Sequence, residues 1–159
     1  MRTSKLEWVV EKGTELGIDT FLFYRATHSE QEELFPRHME RLRTLAIAAL
    51  KQSGRLYLPS FEIVPNLTSL FVQEALCLFG DIQAEQPIDL KSLRQIPAVL
   101  FITGPEKGFS PEEIALLGHK GQGVRLSAHI LRAETAPIAA ASILGQLLVR
   151  LTDNIHLGC

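Results

Sequence analysis

Two stretches of this 159-residue chain combine residue types that can do chemistry with the punctuation that would expose them. The first, Phe101 to Ser110, carries Thr103, Gly104, Pro105, Glu106, Lys107 and Gly108. The second, Leu126 to Ala136, carries Arg132, Glu134 and Thr135. In each, an apolar run reads as a buried strand that stops at a turn: Val99 to Ile102 in one, Val124, Leu126, Ile130 and Leu131 in the other. Loops beyond strand ends are where α/β proteins bind ligands. Gly104 and Gly108 would let main-chain groups approach a flat ligand such as adenine, and Arg132, Glu134 and Thr135 could orient a cofactor or a base at a pocket mouth. The plainer readings are a turn feeding a capped helix and a carboxylate favoured by a helix dipole. Taken as a pair, the two loops are expected to form one cofactor pocket.

Other chemistries find little support. No G-x-G-x-x-G follows a strand, no P-loop sequence is present, and Gly118, Gly121 and Gly123 come in the wrong order after a helix. No His, Cys or Asp group has metal-ligand spacing, so no metal is expected. Ser53 and Ser110 lie in no nucleophile elbow. Cys77 reads as a small buried hydrophobe and Cys159 as a tail thiol, which suits a reducing, cytoplasmic setting without disulfides. No apolar run is long enough to cross a bilayer. The net charge of −2 is wrong for a stand-alone nucleic-acid binder, so any RNA role needs local basic patches or a helper domain.

The elements that must position the two loops alternate. Ser4-Lys5-Leu6-Glu7 reads as a capping box, opening a helix with Leu6, Val9, Val10, Gly13 and Leu16 on one face and Gly17 as its left-handed stop. A strand follows from Ile18 to Tyr24, then a loop from Arg25 to Phe35 with room for a helical turn near Ser29–Glu32. Pro36 starts a long helix with Leu42, Leu45, Ala49 and Leu50 on one face and Gly54 as its end. Phe61–Val64 reads as a strand, Asn66–Glu74 as a helix capped by Asn66 or Thr68, Ala75–Gly80 as a strand, and Asp81–Pro97 as a loop with at most a turn near Leu90–Arg94. Ser110-Pro111-Glu112-Glu113 is a second capping box, for a helix expected to end at Gly118. The last helix, with Ala140, Ile143, Leu144, Leu147, Leu148 and Leu151, is apolar nearly all round and is expected to be buried, in part against a second subunit. The order of elements implies one α/β domain with a parallel sheet covered on both faces.

Four blocks in register carry a resemblance: Glu11-Lys12 with Glu15-Leu16-Gly17; Gln52-Ser53-Gly54-Arg55; Gly104-Pro105-Glu106 with Gly108-Phe109-Ser110; and Leu131-Arg132-Ala133-Glu134-Thr135-Ala136. They resemble the signature of the family that methylates N3 of a uridine in 16S ribosomal RNA, within the SPOUT superfamily of S-adenosylmethionine (SAM) enzymes. The resemblance spans nearly all of residues 1–159 and implies a SPOUT-type methyltransferase domain. Its fold would be an α/β parallel sheet with a deep trefoil knot at the C-terminal end, which sequence pattern alone disfavours because threaded chains are rare. It implies a homodimer and a SAM pocket built from Thr103, Gly104, Pro105, Glu106, Gly108, Leu126, Ser127, His129, Ile130, Leu131, Thr135 and Ala136. Arg132 and Glu134 would be catalytic, with Arg25, Arg37, Arg41, Lys51 and Arg55 facing RNA. The family's N-terminal PUA-like RNA-binding domain is expected to lie outside this chain. This sequence departs from the family pattern at Lys51, His28, Lys107, Ser127 and His129.

The expected function is SAM-dependent methylation of a uridine N3 in small-subunit ribosomal RNA, by an enzyme of the cytoplasm. Two other readings share the fold: a non-catalytic RNA-binding or ribosome-assembly module, and a methyltransferase acting on another RNA such as a tRNA.

Overall fold

The computed structural model describes residues 3–29, 36–72 and 74–156. The first helix, α1 (Thr3–Glu15), leads into β1 (Thr20–Phe23); α2 (Pro36–Ser53) leads into β2 (Ser60–Ile63), which lies parallel to β1. A short 3₁₀ turn, Leu67–Val72, precedes β3 (Leu76–Gly80), β4 (Val99–Ile102), α3 (Pro111–Lys120), β5 (Gln122–Val124) and α4 (Thr135–His156). Strands β4, β3 and β5 form a parallel ladder in that order.

Among the described residues, the single sheet expected from the alternation is instead two parallel sheets, one of two strands and one of three. They join through side chains: the Tyr24 hydroxyl donates to the Thr103 carbonyl at 3.3 Å, and Leu22, Tyr24 and Val64 pack on the core around Leu67, Cys77, Phe79, Ile102 and Leu117. Burial pushes the Tyr24 phenol above its ordinary value, with the nearby Glu113 charge adding to it.

The two-residue period of β3 shows how both faces are covered. Cys77 and Phe79 point to Leu117 of α3, while Leu76 and Leu78 point to Val124 and to Ile143, Leu144 and Leu147 of α4. Burial pushes the Cys77 thiol up to about 11, so this cysteine is packing material, not a nucleophile. A third cluster, Leu6, Val10, Phe21, Leu42 and Ala46, holds α1 and α2 against β1.

Local signals explain the helix ends. Gly17 has φ +95°, the Ile18 amide donates to the Gly13 carbonyl at 2.9 Å and the Gly17 amide to Thr14 at 3.2 Å, the paired bonds of a Schellman stop. Gly54, at φ +74°, ends α2. Ser110 and Glu113 form the expected capping box on α3. The first capping box is different: α1 already includes Thr3 and Ser4, so Ser4 lies in the first turn, and Glu7 pairs instead with Arg41 at 3.4 Å. The helix expected to stop at Gly118 continues to Lys120, because burying Leu117 and the bond from the Gly121 amide to the Leu117 carbonyl offset the roughly 1 kcal/mol cost of an internal glycine. The expected helix over Asn66–Glu74 is only the 3₁₀ turn, with Asn66 Oδ1 accepting from the Ser69 amide. The turn considered near Ser29–Glu32 falls largely outside the described residues, as do Cys159 and the side chains of Leu148 and Leu151.

Arg55 belongs to this framework. Its guanidinium donates to the carbonyls of Thr14 (3.0 Å) and Ile18 (2.8 Å) and to Asp19 (2.9 Å), so it binds one carbonyl in the last turn of α1 and one just beyond it. The residue expected on the RNA-facing surface is therefore largely committed to holding α1 and α2 together. Replacing it with alanine is expected to cost about 2 kcal/mol of stability, read by urea unfolding, because charge-assisted bonds to partly buried carbonyls are lost.

Candidate cofactor and base site

The Thr103–Gly108 loop is a tight turn held from several sides. The Gly108 amide donates to the Pro105 carbonyl at 2.9 Å, and φ +78° at Gly108 makes glycine the fitting residue there. A side chain at Gly104 would meet the Phe109 ring at 3.1 Å, whereas one at Gly108 would meet nothing within 4 Å. The loop after β1 fastens onto the same turn. His28 Nδ1 lies 3.2 Å from the Gly108 carbonyl, so that nitrogen carries the proton, and Glu113 accepts from the amides of Thr27 (2.9 Å) and Ser110 (2.8 Å).

The second loop is not the expected strand. β5 ends at Val124; the Arg125 amide then donates to the Gln86 carbonyl at 2.9 Å, pairing Arg125 with Pro87, and the ladder to β3 stops. From there turn chemistry wins: Ser127 Oγ accepts from the His129 amide at 3.1 Å, and Arg125 Nε donates to the Ser127 carbonyl at 3.3 Å. Ile130, expected in a buried strand, is 79% exposed; His129 and Arg132 are exposed, and Leu126, Ser127 and Leu131 are half-buried. The Arg132 carbonyl accepts from the amides of Thr135 (2.9 Å) and Ala136 (3.0 Å), so α4 begins directly on Arg132.

One carboxylate from each loop, Glu106 and Glu134, reaches toward the same side chain, a lysine from the far end of the chain. Lys5 Nζ lies 3.1 Å from both carboxylate oxygens of Glu134 and 3.9 Å from Glu106. A bond from its own backbone amide, then the charges of Lys5 and Arg132, hold the Glu134 carboxyl below its ordinary value, against the opposing pull of burial. Beside this ion pair Ser4, Lys5, Trp8, Arg132, Glu134 and Thr135 line a hollow of about 350 Å³. Neither Lys107 nor Ser127 lines it. Sequence reasoning missed Lys5 and Trp8; the available signal was a lysine and an exposed-face aromatic three residues apart on the first helix.

The first two motif blocks meet elsewhere. Glu11, Lys12, Glu15 and Gln52 line a second hollow, about 390 Å³, between α1 and α2, with Leu45, Ala48 and Ala49 as its floor. Lys12 lies 2.8 Å from each of Glu11 and Glu15, whose hydrogen bonds raise its pKa. Arg25, Arg37, Arg41 and Lys51 are all exposed, and none of them lines either hollow. Among the described residues there is no metal-ligating cluster, and no helix is long and apolar enough to cross a membrane.

A model of an RNA methyltransferase domain matches residues 1–145. The chain belongs to the RNA methyltransferase domain family. This RNA methyltransferase domain is 31% identical over 153 residues to the ribosomal RNA small subunit methyltransferase E of Bacillus subtilis, covering 87% of this chain and 59% of that protein. To its counterpart in Aquifex aeolicus it is 31% identical over 143 residues, covering 87% of the chain and 62% of the relative. The chain thus spans about three-fifths of the length of these curated relatives. A putative methyltransferase from Legionella pneumophila with bound SAM is similar in structure, with a TM-score of 0.79 at 30% identity over 88% of this chain and 60% of that one. The SAM-bound ribosomal RNA small subunit methyltransferase E of Neisseria gonorrhoeae superposes with a TM-score of 0.76 at 26% identity, over 91% of this chain and 61% of the other.

Proposed function

We propose that this domain transfers a methyl group from SAM to N3 of a uridine in small-subunit ribosomal RNA. The observation that supports the reading is at Lys5, whose ammonium lies 3.1 Å from Glu134 and 3.9 Å from Glu106 of the first turn. Similarity to SAM-bound methyltransferase structures supplies the cofactor, and the small-subunit relatives supply the RNA class.

The fit of SAM rests on the backbone of the two loops. Gly108 leaves open space where a side chain would stand, and 126–131 runs outside any ladder. Thr103, Gly104, Pro105, Glu106 and Gly108 would hold the cofactor from one side, and Leu126, Ser127, His129, Ile130, Leu131, Thr135 and Ala136 from the other. When bound, SAM supplies a methyl group already made electrophilic by its sulfonium. The protein's work is then alignment and management of one proton. Uridine N3 carries a hydrogen between two carbonyls and is nucleophilic only once that proton leaves. Glu134 would accept or orient the N3 hydrogen, and the Arg132 guanidinium would stabilise the charge that spreads onto O2 and O4.

The same reading takes the passage of Arg125 along Gln86–Pro87, followed by α4 packing on Ile88 and Leu93, as a chain threaded through the connection between β3 and β4, a trefoil knot. It also takes the active form to be a cytoplasmic homodimer, with RNA contacts at Arg25, Arg37, Arg41 and Lys51. Calorimetry with SAM should show one site per chain, and primer extension on small subunits from a strain lacking the activity should stop at a single uridine only when this protein is added. Stoichiometric SAM binding with no stop on ribosomal RNA but one on transfer RNA would replace the substrate; no SAM binding would leave a non-catalytic RNA module. Because the net charge is −2, fusing an N-terminal RNA-binding domain is expected to raise RNA methylation at least tenfold while leaving SAM affinity within twofold. Equal gains in both would contradict this division of labour.

A further inference from the structure

The hollow between the N-terminal parts of α1 and α4 contains, beside Arg132, Glu134 and Thr135, three groups to which the methyl transfer assigns no part: Ser4, Lys5 and Trp8. Trp8 stands in its wall with 40% of its surface exposed, a large aromatic left uncovered beside two cations. Around the same space stand Lys5, Arg132, Glu134, Ser4 and Thr135.

We propose that this hollow receives the target base, a uracil swung out of the RNA, with Trp8 as its stacking surface and Lys5 and Arg132 facing its carbonyl oxygens. The proposal rests on the uridine-N3 reading and names the place where that uridine sits. Uracil presents one edge with an acceptor, a donor and an acceptor in a row: O2, N3–H and O4. A carboxylate between two cations is the complement of that edge, and Glu134 lies 3.1 Å from Lys5 and two residues from Arg132. Cytosine shows no hydrogen at N3 and a donor in place of O4, so it would leave Glu134 without a partner and set an amino group against a cation. The methyl group must also arrive where the N3 hydrogen was, in the plane of the ring. The proton acceptor and the methyl donor therefore have to share one edge of the base. Glu134 suits this, since Lys5, 3.1 Å from it, also lies 3.9 Å from Glu106 of the first loop. A base reaches such a site only by leaving its stack, and an indole replaces the lost stacking.

Trp8 is the one tryptophan of the chain, which makes the proposal measurable without turnover. The full chain is titrated with a single-stranded oligonucleotide of the target sequence, in the presence of S-adenosylhomocysteine, while tryptophan emission is followed. Quenching is expected with uridine at the target position and a weaker response with cytidine or N3-methyluridine there. Trp8→Ala should weaken binding of the uridine strand, measured by anisotropy, roughly 10–100-fold. Trp8→Phe should recover most of it, and SAM affinity should stay within twofold in both. Emission that ignores saturating RNA, or a Trp8→Ala protein that methylates uridine at the wild-type rate, overturns the base pocket while the function stands. A Trp8→Ala protein that falls apart into monomers with loss of SAM binding overturns it too, because the hollow is then a subunit seat. Wild-type protein that binds SAM yet methylates no uridine removes the functional reading itself.

Discussion

Arg132→Met is expected to lower the rate of methyl transfer by roughly 100- to 1,000-fold while SAM binds within a few-fold of wild type. The uridine imide becomes a nucleophile only by carrying negative charge on N3, O2 and O4, and Arg132 is the cation on the lining of the hollow that is not tied to a carboxylate by a short contact. Its position is set by the backbone: its carbonyl takes the first two amides of α4, so the guanidinium leaves from a fixed point at the mouth of the hollow. Methionine keeps the length and the helix start while deleting the charge. Arg132→Lys should recover only part of the rate, since an ammonium can face one carbonyl where the planar fork can face more. Single-turnover kinetics with saturating SAM and RNA give the rate, and calorimetry gives the affinity. A variant with unchanged rate but reduced thermal stability would make Arg132 a helix-start residue and nothing more.

What the sequence disclosed, and what it hid, follows the range of the interactions. The stop at Gly17 and the cap at Ser110 depend on residues within four or five positions of one another, and both are present as expected. The face of α2 is met only in part, because Leu42 and Ala49 are buried while Ala46, not Leu45 or Leu50, joins them in the core. The strand drawn through Leu126, Ile130 and Leu131 failed because apolar residues make a strand only where a ladder partner exists. Here Arg125 leaves β3 for Gln86, 39 positions away, and the chain beyond it turns on Ser127 instead. Arg55 had the type and neighbours of an RNA contact, yet its guanidinium is used on carbonyls 37 and 41 positions earlier. Lys5 was least legible of all. Its partner in the site is 129 residues away, and inside a helical pattern a lysine looks like any solvated side chain.

Removing the charge of Lys5 is the second experiment with a large expected effect, and it separates two roles of one residue. In Lys5→Met, Glu134 loses a cation 3.1 Å away and Glu106 one 3.9 Å away, so RNA methylation should fall roughly 100-fold even though neither loop has changed sequence. The loss of stability should be small, about 1 kcal/mol, as for a half-exposed ion pair. Its pH dependence is more telling. A carboxyl held below its ordinary value in the folded protein, as Glu134 is, stabilises the fold at pH above the unfolded carboxylate value, and that contribution disappears as the pH falls through the folded value. Wild type should therefore lose this increment on acidification through the carboxylate range, whereas Lys5→Met, with Glu134 closer to its ordinary value, should lose less of it. The difference in unfolding free energy between the two proteins should then be largest near neutrality and shrink towards pH 3. A difference that stays constant from pH 7 to pH 3 would mean that Lys5 acts through packing, and that the two loops are brought together without its charge.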